Sequence, residues 1–108
     1  MPLTPLSFRI LLALADAPRH GYGIIKEIEA REGEDSAPNT GALYLALQRM
    51  EGEGLIDATE SPELGADARR HYYRLTARGR EAAAAESTRL AALVSAARAK
   101  KLLPEGAG

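Results

Sequence analysis

In the stretch Asn39-Thr40-Gly41-Ala42-Leu43-Tyr44-Leu45-Ala46-Leu47-Gln48-Arg49-Met50-Glu51-Gly52, Leu43, Leu47 and Met50 recur at the spacing of one buried helix face. The opposite face then carries Gly41, Leu45, Gln48, Arg49 and Gly52, with Tyr44 on the flank and Asn39 and Thr40 at the start. Pro38 fits the first helical turn, and the polar pair beside it can cap free amides. Glutamine and asparagine amides can pair with adenine edges and arginine with guanine, while small residues allow close approach. Such a face suits a helix lying in a DNA major groove. Taken alone, it reads as well as an ordinary solvated face, so its neighbours decide.

No catalytic constellation competes with that chemistry. There are two histidines and no cysteine, no Gly-rich phosphate loop follows a strand, and no His-x-x-x-His or paired-carboxylate arrangement stands out. An enzyme is the least expected class, and no metal or cofactor is expected. Cations, however, are gathered: residues 69–80 hold five arginines and no acid, while Glu27, Glu29, Glu32, Glu34 and Asp35 cluster elsewhere. Phosphate contacts need such cations, and they position a reader without choosing its sequence. Arg69 and Arg70 are the better candidates for the DNA backbone or minor groove. His71 beside them either meets a phosphate or is merely exposed. Tyr22 can donate to a phosphate or pack in the core, and Tyr44 can touch the groove or close the domain as a half-buried ring. His20 reads as a turn-stabilising residue rather than a ligand.

The elements that must position these groups follow from periodicity and punctuation. Thr4-Pro5 reads as an N-cap and first helical residue, opening a helix over residues 4–17. That helix sets Leu3, Leu6, Ile10, Ala13 and Leu14 on one side and Phe8, Leu12 and Ala15 on another, with only Arg9 and Asp16 as a polar wedge. A helix apolar nearly all round must be covered on two sides. Residues 16–21 read as a turn. A second helix over residues 21–32 has Ile24, Ile25 and Ile28 with Tyr22 on its core stripe, and a short polar connection over 33–37 leads to the central helix. This is consistent with a helix-turn-helix. Strands follow at Leu55-Ile56-Asp57-Ala58-Thr59 and over residues 69–75, around turn chemistry at 61–67. Tyr73 and Leu75 should face in, Tyr72 and Arg74 out. Thr76 caps a last helix over residues 77–103, with Ala83, Leu90, Val94 and Ala97 on one stripe and Leu93 at its edge. Ala82-Ala83-Ala84-Ala85 lets another backbone come close.

The expected fold class is therefore mainly α with a small β-hairpin wing, a winged helix-turn-helix plus a long C-terminal dimerisation helix. Residues 1–76 form the DNA-binding unit and residues 77–108 the dimerisation helix and a frayed tail. The exposed side of the first helix and the stripe of the last can cover each other across a two-fold axis. Leu3, Phe8, Leu12, Leu90, Leu93, Val94 and Ala97 would make that interface. The alternative folds the last helix back on its own domain.

At 108 residues the chain can bury about 65% of its unfolded surface as one domain. Its composition, 45% hydrophobic and 27% charged, is that of a soluble globular protein. No apolar run is long enough to span a bilayer and no leader signal opens the chain, so the expected location is cytoplasmic, which the absence of cysteine suits. A net charge of −1 argues against non-specific coating of nucleic acid but leaves room for a local basic patch.

Nearly the whole chain resembles the PadR family of bacterial transcriptional regulators. Three segments carry the likeness: His20-Gly21-Tyr22-Gly23; Gly41-Ala42-Leu43-Tyr44 through Leu47 to Glu51-Gly52-Glu53-Gly54-Leu55-Ile56; and Arg70-His71-Tyr72-Tyr73-Arg74-Leu75-Thr76 with Gly79. The resemblance implies a homodimer whose recognition helices enter successive major grooves of a pseudo-palindromic operator. It implies repression as the usual outcome, often relieved by a small aromatic or cationic effector. On this reading Asn39, Thr40, Gly41, Tyr44, Gln48, Arg69, Arg70 and Tyr22 are the DNA-contacting residues, and the partners are double-stranded DNA and a second copy of the chain. Two departures stand out. Leu45 occupies a position where many members carry proline or a polar residue, and there is no tryptophan for a stacked drug pocket. The rival readings are a winged-helix module that meets an acidic protein through its basic wing, and a ligand-binding dimer without DNA affinity.

Overall fold

Among the described residues, each long helix starts at a side chain that takes up a free backbone amide. The computed structural model describes residues 3–60 and 71–104. Helix α1 (Pro5–Leu14) follows Thr4, whose Oγ1 accepts from the Ser7 amide at 3.1 Å, with proline in the first turn where no N–H is needed. Strand β1 (Arg19–His20) leads into α2 (Gly21–Glu32), where His20 Nδ1 accepts from the Gly23 amide at 2.9 Å. Helix α3 (Thr40–Gly52) is capped by Asn39, whose Oδ1 accepts from the Ala42 amide at 3.1 Å. Strands β2 (Ile56–Thr59) and β3 (Tyr72–Leu75) precede α4 (Ala77–Ala99), where Thr76 Oγ1 accepts from the Gly79 amide at 2.9 Å. The bounds of α2 and the caps of α1, α3 and α4 are those the sequence predicts. Pro38 is not in the first turn of α3 as expected; Asn39 ahead of that turn is extended (φ −60°, ψ 135°) and leaves the proline outside.

Helix α1 stops short of the expected residue 17. The Ala15 amide bonds to the Leu12 carbonyl at 3.2 Å, closing the last turn, and Pro18 disfavours helical geometry at Ala17. Residues expected as a plain turn contain β1, which pairs antiparallel with β3, itself paired antiparallel with β2. The wing is thus part of a three-stranded sheet in the order β1-β3-β2. That third strand overturns one facing: Tyr72, expected outward, is only 6% exposed, beside Tyr73 at 9%. Tyr72 sits opposite His20 in register, with ring centroids 5.1 Å apart and planes at 85°. A two-stranded wing would leave that edge of β3 open; β1 pairs along it and brings the His20 ring against Tyr72. The expected turn over 61–67 and the start of the returning strand at Arg69 and Arg70 lie outside the described residues.

The core lies between the three first helices and the sheet. Ile10 and Leu11 of α1, Ile24 and Ile28 of α2, Leu43 and Met50 of α3, and Ile56 of β2 are all fully buried. Each such side chain contributes roughly 1.5–3 kcal/mol relative to exposure. Leu11 belongs to neither expected face of α1, and Tyr22, expected on the α2 core stripe, is 54% exposed. Ile24 and Ile28, one turn apart on α2, fill the space and leave the ring outside.

Helix α4 is anchored by its first half. Its buried residues are Gly79 and Glu86, and Ala82 and Ala83 pack against the core. Ala83, expected on a stripe reserved for a partner, therefore serves its own domain. Arg80 Nη2 ties the helix to the end of α1 by donating to the Ala15 carbonyl at 3.1 Å. Further on, Leu93 and Val94 are 55% and 43% exposed. The helix ends at Ala99, short of the expected residue 103, because Lys101 turns left-handed (φ 63°). The Lys101 amide bonds to the Arg98 carbonyl at 3.0 Å and the Leu102 amide to the Ala97 carbonyl at 2.9 Å, the two bonds of a Schellman stop. The Cα radius of gyration, 15.4 Å, exceeds the about 13 Å of a compact chain this long, and the long axis measures 51 Å. No helix among the described residues is long and apolar enough to cross a membrane.

Candidate nucleic-acid interface

The exposed side of α3 is built by the same spacing that buries its other side. Leu43, Ala46, Leu47 and Met50 are buried, and Thr40, Gly41, Tyr44, Leu45, Gln48 and Gly52 are exposed. Gln48 has no hydrogen-bond partner among the described residues, so its amide is available to a ligand. Asn39 is different: its side-chain oxygen is engaged as the cap, which leaves its amide N–H groups to reach outward. Tyr44 is 47% exposed while its ring rests on Gly21, where an added Cβ would lie 2.7 Å from Cζ. The nearest Tyr44 atom to that Cβ is the hydroxyl oxygen, so the ring closes the α2–α3 joint with its hydroxyl end against Gly21, the half-buried arrangement that is one of the two the sequence allows.

Beside α3, the start of α2 adds a second polar group. Tyr22 stacks on His20 with centroids 6.3 Å apart, and Lys26 Nζ lies 5.2 Å from the centre of the Tyr22 ring. Tyr22 and then Glu29, whose Oε2 is 3.2 Å from Nζ, hold the Lys26 ammonium above its ordinary pKa, so it stays charged. The sequence reading does not single out Lys26; its spacing of four from Tyr22 is the available signal.

Arg49 is exposed, as expected, but its guanidinium is engaged within the fold. It donates to Ser7 Oγ at 2.6 Å and stands 3.8 Å from Glu53, lining a cleft between α1, α3 and α4. The basic run is also partly committed within the fold. Arg74 lies 3.6 Å from Asp57 across the β2–β3 ladder, and Arg80 is bonded to α1. His71 is exposed. Arg69 and Arg70 lie outside the described residues. Three acids of the acidic cluster are likewise paired: Glu32 with Arg9 at 2.6 Å, Glu27 with Arg31 and Arg19 at 3.1 and 3.6 Å, and Glu29 with Lys26 at 3.2 Å.

On the far side from α3, Leu3, Phe8, Leu12 and Leu90 line a groove of about 430 Å³ between α1 and α4. Glu86 closes it, only 7% exposed, with Arg89 donating to its two oxygens at 2.8 and 2.5 Å. That fork holds the Glu86 carboxyl below the usual carboxylate range. A depressed carboxylate stabilises the fold above its unfolded value, about 4.3, and the gain is lost as pH falls through the lower folded value. The melting temperature of Glu86→Gln is therefore expected to lie below that of the unchanged chain at pH 7. The gap should close as the pH is taken below about 4. A gap that is constant across a pH series of melting curves would assign Glu86 a role independent of its charge.

Helix-turn-helix, three-stranded sheet and a long last helix define a winged helix-turn-helix protein. Residues 10–85 match the transcriptional regulator PadR-like family, and the chain belongs to it. A PadR family transcription regulator from Clostridium difficile is 27% identical, superposing with a TM-score of 0.77 over 88% of this chain and 96% of that one. The Bacillus subtilis PadR in complex with operator DNA has the same fold, at 23% identity and a TM-score of 0.61, over 72% of this chain and 44% of that one. An uncharacterized 37.1 kDa protein in transposon Tn4556 of Streptomyces fradiae is 40% identical over 84 residues. Those residues are 78% of this chain and only 22% of that relative.

Proposed function

We propose that this regulator binds a pseudo-palindromic operator as a homodimer in the cytoplasm and represses transcription there. The observation that carries the reading is the row Gly41, Leu45 and Gln48, exposed on α3 opposite the core and flanked by Tyr44 and the Tyr22–Lys26 pair. Amide, hydroxyl and small residues on such a helix read base edges; Tyr22, Lys26, Arg69 and Arg70 hold phosphates. Residues 1–76 act as the reading unit and residues 77–108 as the dimerising arm. Two copies joined through Leu3, Phe8 and Leu12 of α1 and Leu90, Leu93, Val94 and Ala97 of α4 place their recognition helices about 34 Å apart, one turn of DNA. A small-molecule effector fits the same reading, since the groove between α1 and α4 offers apolar walls and one buried carboxylate.

The test is duplex binding across a salt series. Affinity is expected to fall by about 10³-fold or more between roughly 50 and 200 mM salt, as counterions displaced from on the order of six phosphates drive association. Binding flat in salt would favour a protein-contact module instead. Two variants divide readers from anchors. Gln48→Ala should change sequence preference at one base pair, by about 1–3 kcal/mol, whereas Arg70→Ala should weaken all sequences alike. Equal behaviour in a selection from random duplexes would undo that division.

A further inference from the structure

Leu45 stands near the middle of the α3 face that the proposed function turns toward DNA. At about 100° per residue, Gly41, Gln48 and Leu45 all fall within roughly 30° of the line opposite the core residues. Leu45 is 69% exposed. Gly41, one turn earlier on that line, has no side chain to hold a base edge away.

A lone exposed leucine on an ordinary surface calls for no explanation. Within a major groove it would displace water from base atoms that hydrogen-bond, and those atoms would go unpaired against an aliphatic group. The apolar group that the groove itself offers is the thymine 5-methyl. We propose that Leu45 reads a thymine methyl and is a specificity-determining residue; this rests on the DNA-binding function proposed above. Gln48 follows three residues later, about 4.5 Å along the helix axis. Successive base pairs are about 3.4 Å apart. The thymine therefore lies within one or two base pairs of the base that Gln48 meets.

The experiment uses the duplex that the full chain selects from a random pool, with each thymine replaced in turn by deoxyuridine, which lacks only the methyl. Binding is measured by fluorescence anisotropy for the unchanged chain and for Leu45→Ala, whose fold is checked by circular dichroism. One thymine in each half-site should emerge whose loss of the methyl weakens the unchanged chain about fourfold, the value of one buried carbon. Leu45→Ala should bind the two duplexes equally while keeping its salt dependence. Indifference of the unchanged chain to every replacement overturns the proposal, as does undiminished sensitivity in Leu45→Ala; both leave the DNA-binding function standing. A chain that binds no duplex overturns the two together.

Discussion

Val94→Glu is expected to sediment as a monomer and to lose operator affinity by about 100-fold or more. Val94 lies 43% exposed on the part of α4 that projects beyond the packed body, beside Leu93 at 55% and one turn past Leu90, which lines the α1–α4 groove. In a two-fold interface each substitution appears twice, so two carboxylates enter one apolar seam. The penalty is several kcal/mol per ion even after relaxation. Losing the dimer then loses the second half-site, whose contribution through effective concentration is about 10²–10⁴-fold. Because the side chain is exposed within one copy, the monomer should remain folded, with unchanged helix content by circular dichroism. A variant that stays dimeric in sedimentation would place the interface elsewhere.

Gly79→Ala is expected to cost about 3 kcal/mol of stability and lower the melting temperature by about 15 °C. The start of α4 is pressed against the turn before β2. An added Cβ at Gly79 would collide with the Leu55 carbonyl oxygen and come within 3.0 Å of its carbon, both backbone atoms that cannot rotate away. The same carbonyl already accepts from the Thr76 amide at 3.2 Å and from Thr76 Oγ1 at 3.0 Å, so moving it would also disturb the cap of α4. Gly52→Ala is the matched control. Nothing lies within 4 Å of its added Cβ, and alanine is favoured over glycine in a helix by about 1 kcal/mol. Opposite signs for the two changes in thermal melts would confirm the collision; equal small effects would mean that the α4–β2 contact yields readily.

Both changes act on features of different legibility. The exposure of Val94 follows from a periodicity that outruns the domain. The constraint at Gly79 does not, since it arises from a strand turn 24 positions away whose carbonyl happens to meet the helix. The same division runs through the candidate interface. The core and open faces of α3 were readable because each is set by one residue's angle about a single axis. The fate of the cations was not. Arg49, on the expected open face, turns to a buried serine 42 residues away, and Arg80 reaches a carbonyl 65 residues away. Tyr22 and Lys26 stand four apart on one helix, yet that their ring and ammonium meet depends on side-chain torsions that spacing does not specify.

By itself, then, the order of amino acids determined the helices, their caps, the winged helix-turn-helix class and which side of α3 is apolar. These depend on hydrogen bonds and repeats contained within a turn or two of chain. Only the tertiary structure decided that Arg19 and His20 form a third strand, that Tyr72 is covered, and which arginines are held within the fold. Those outcomes require segments far apart in sequence to meet. The free energy of a pairing or a buried ring belongs to both partners, and neither segment carries it alone.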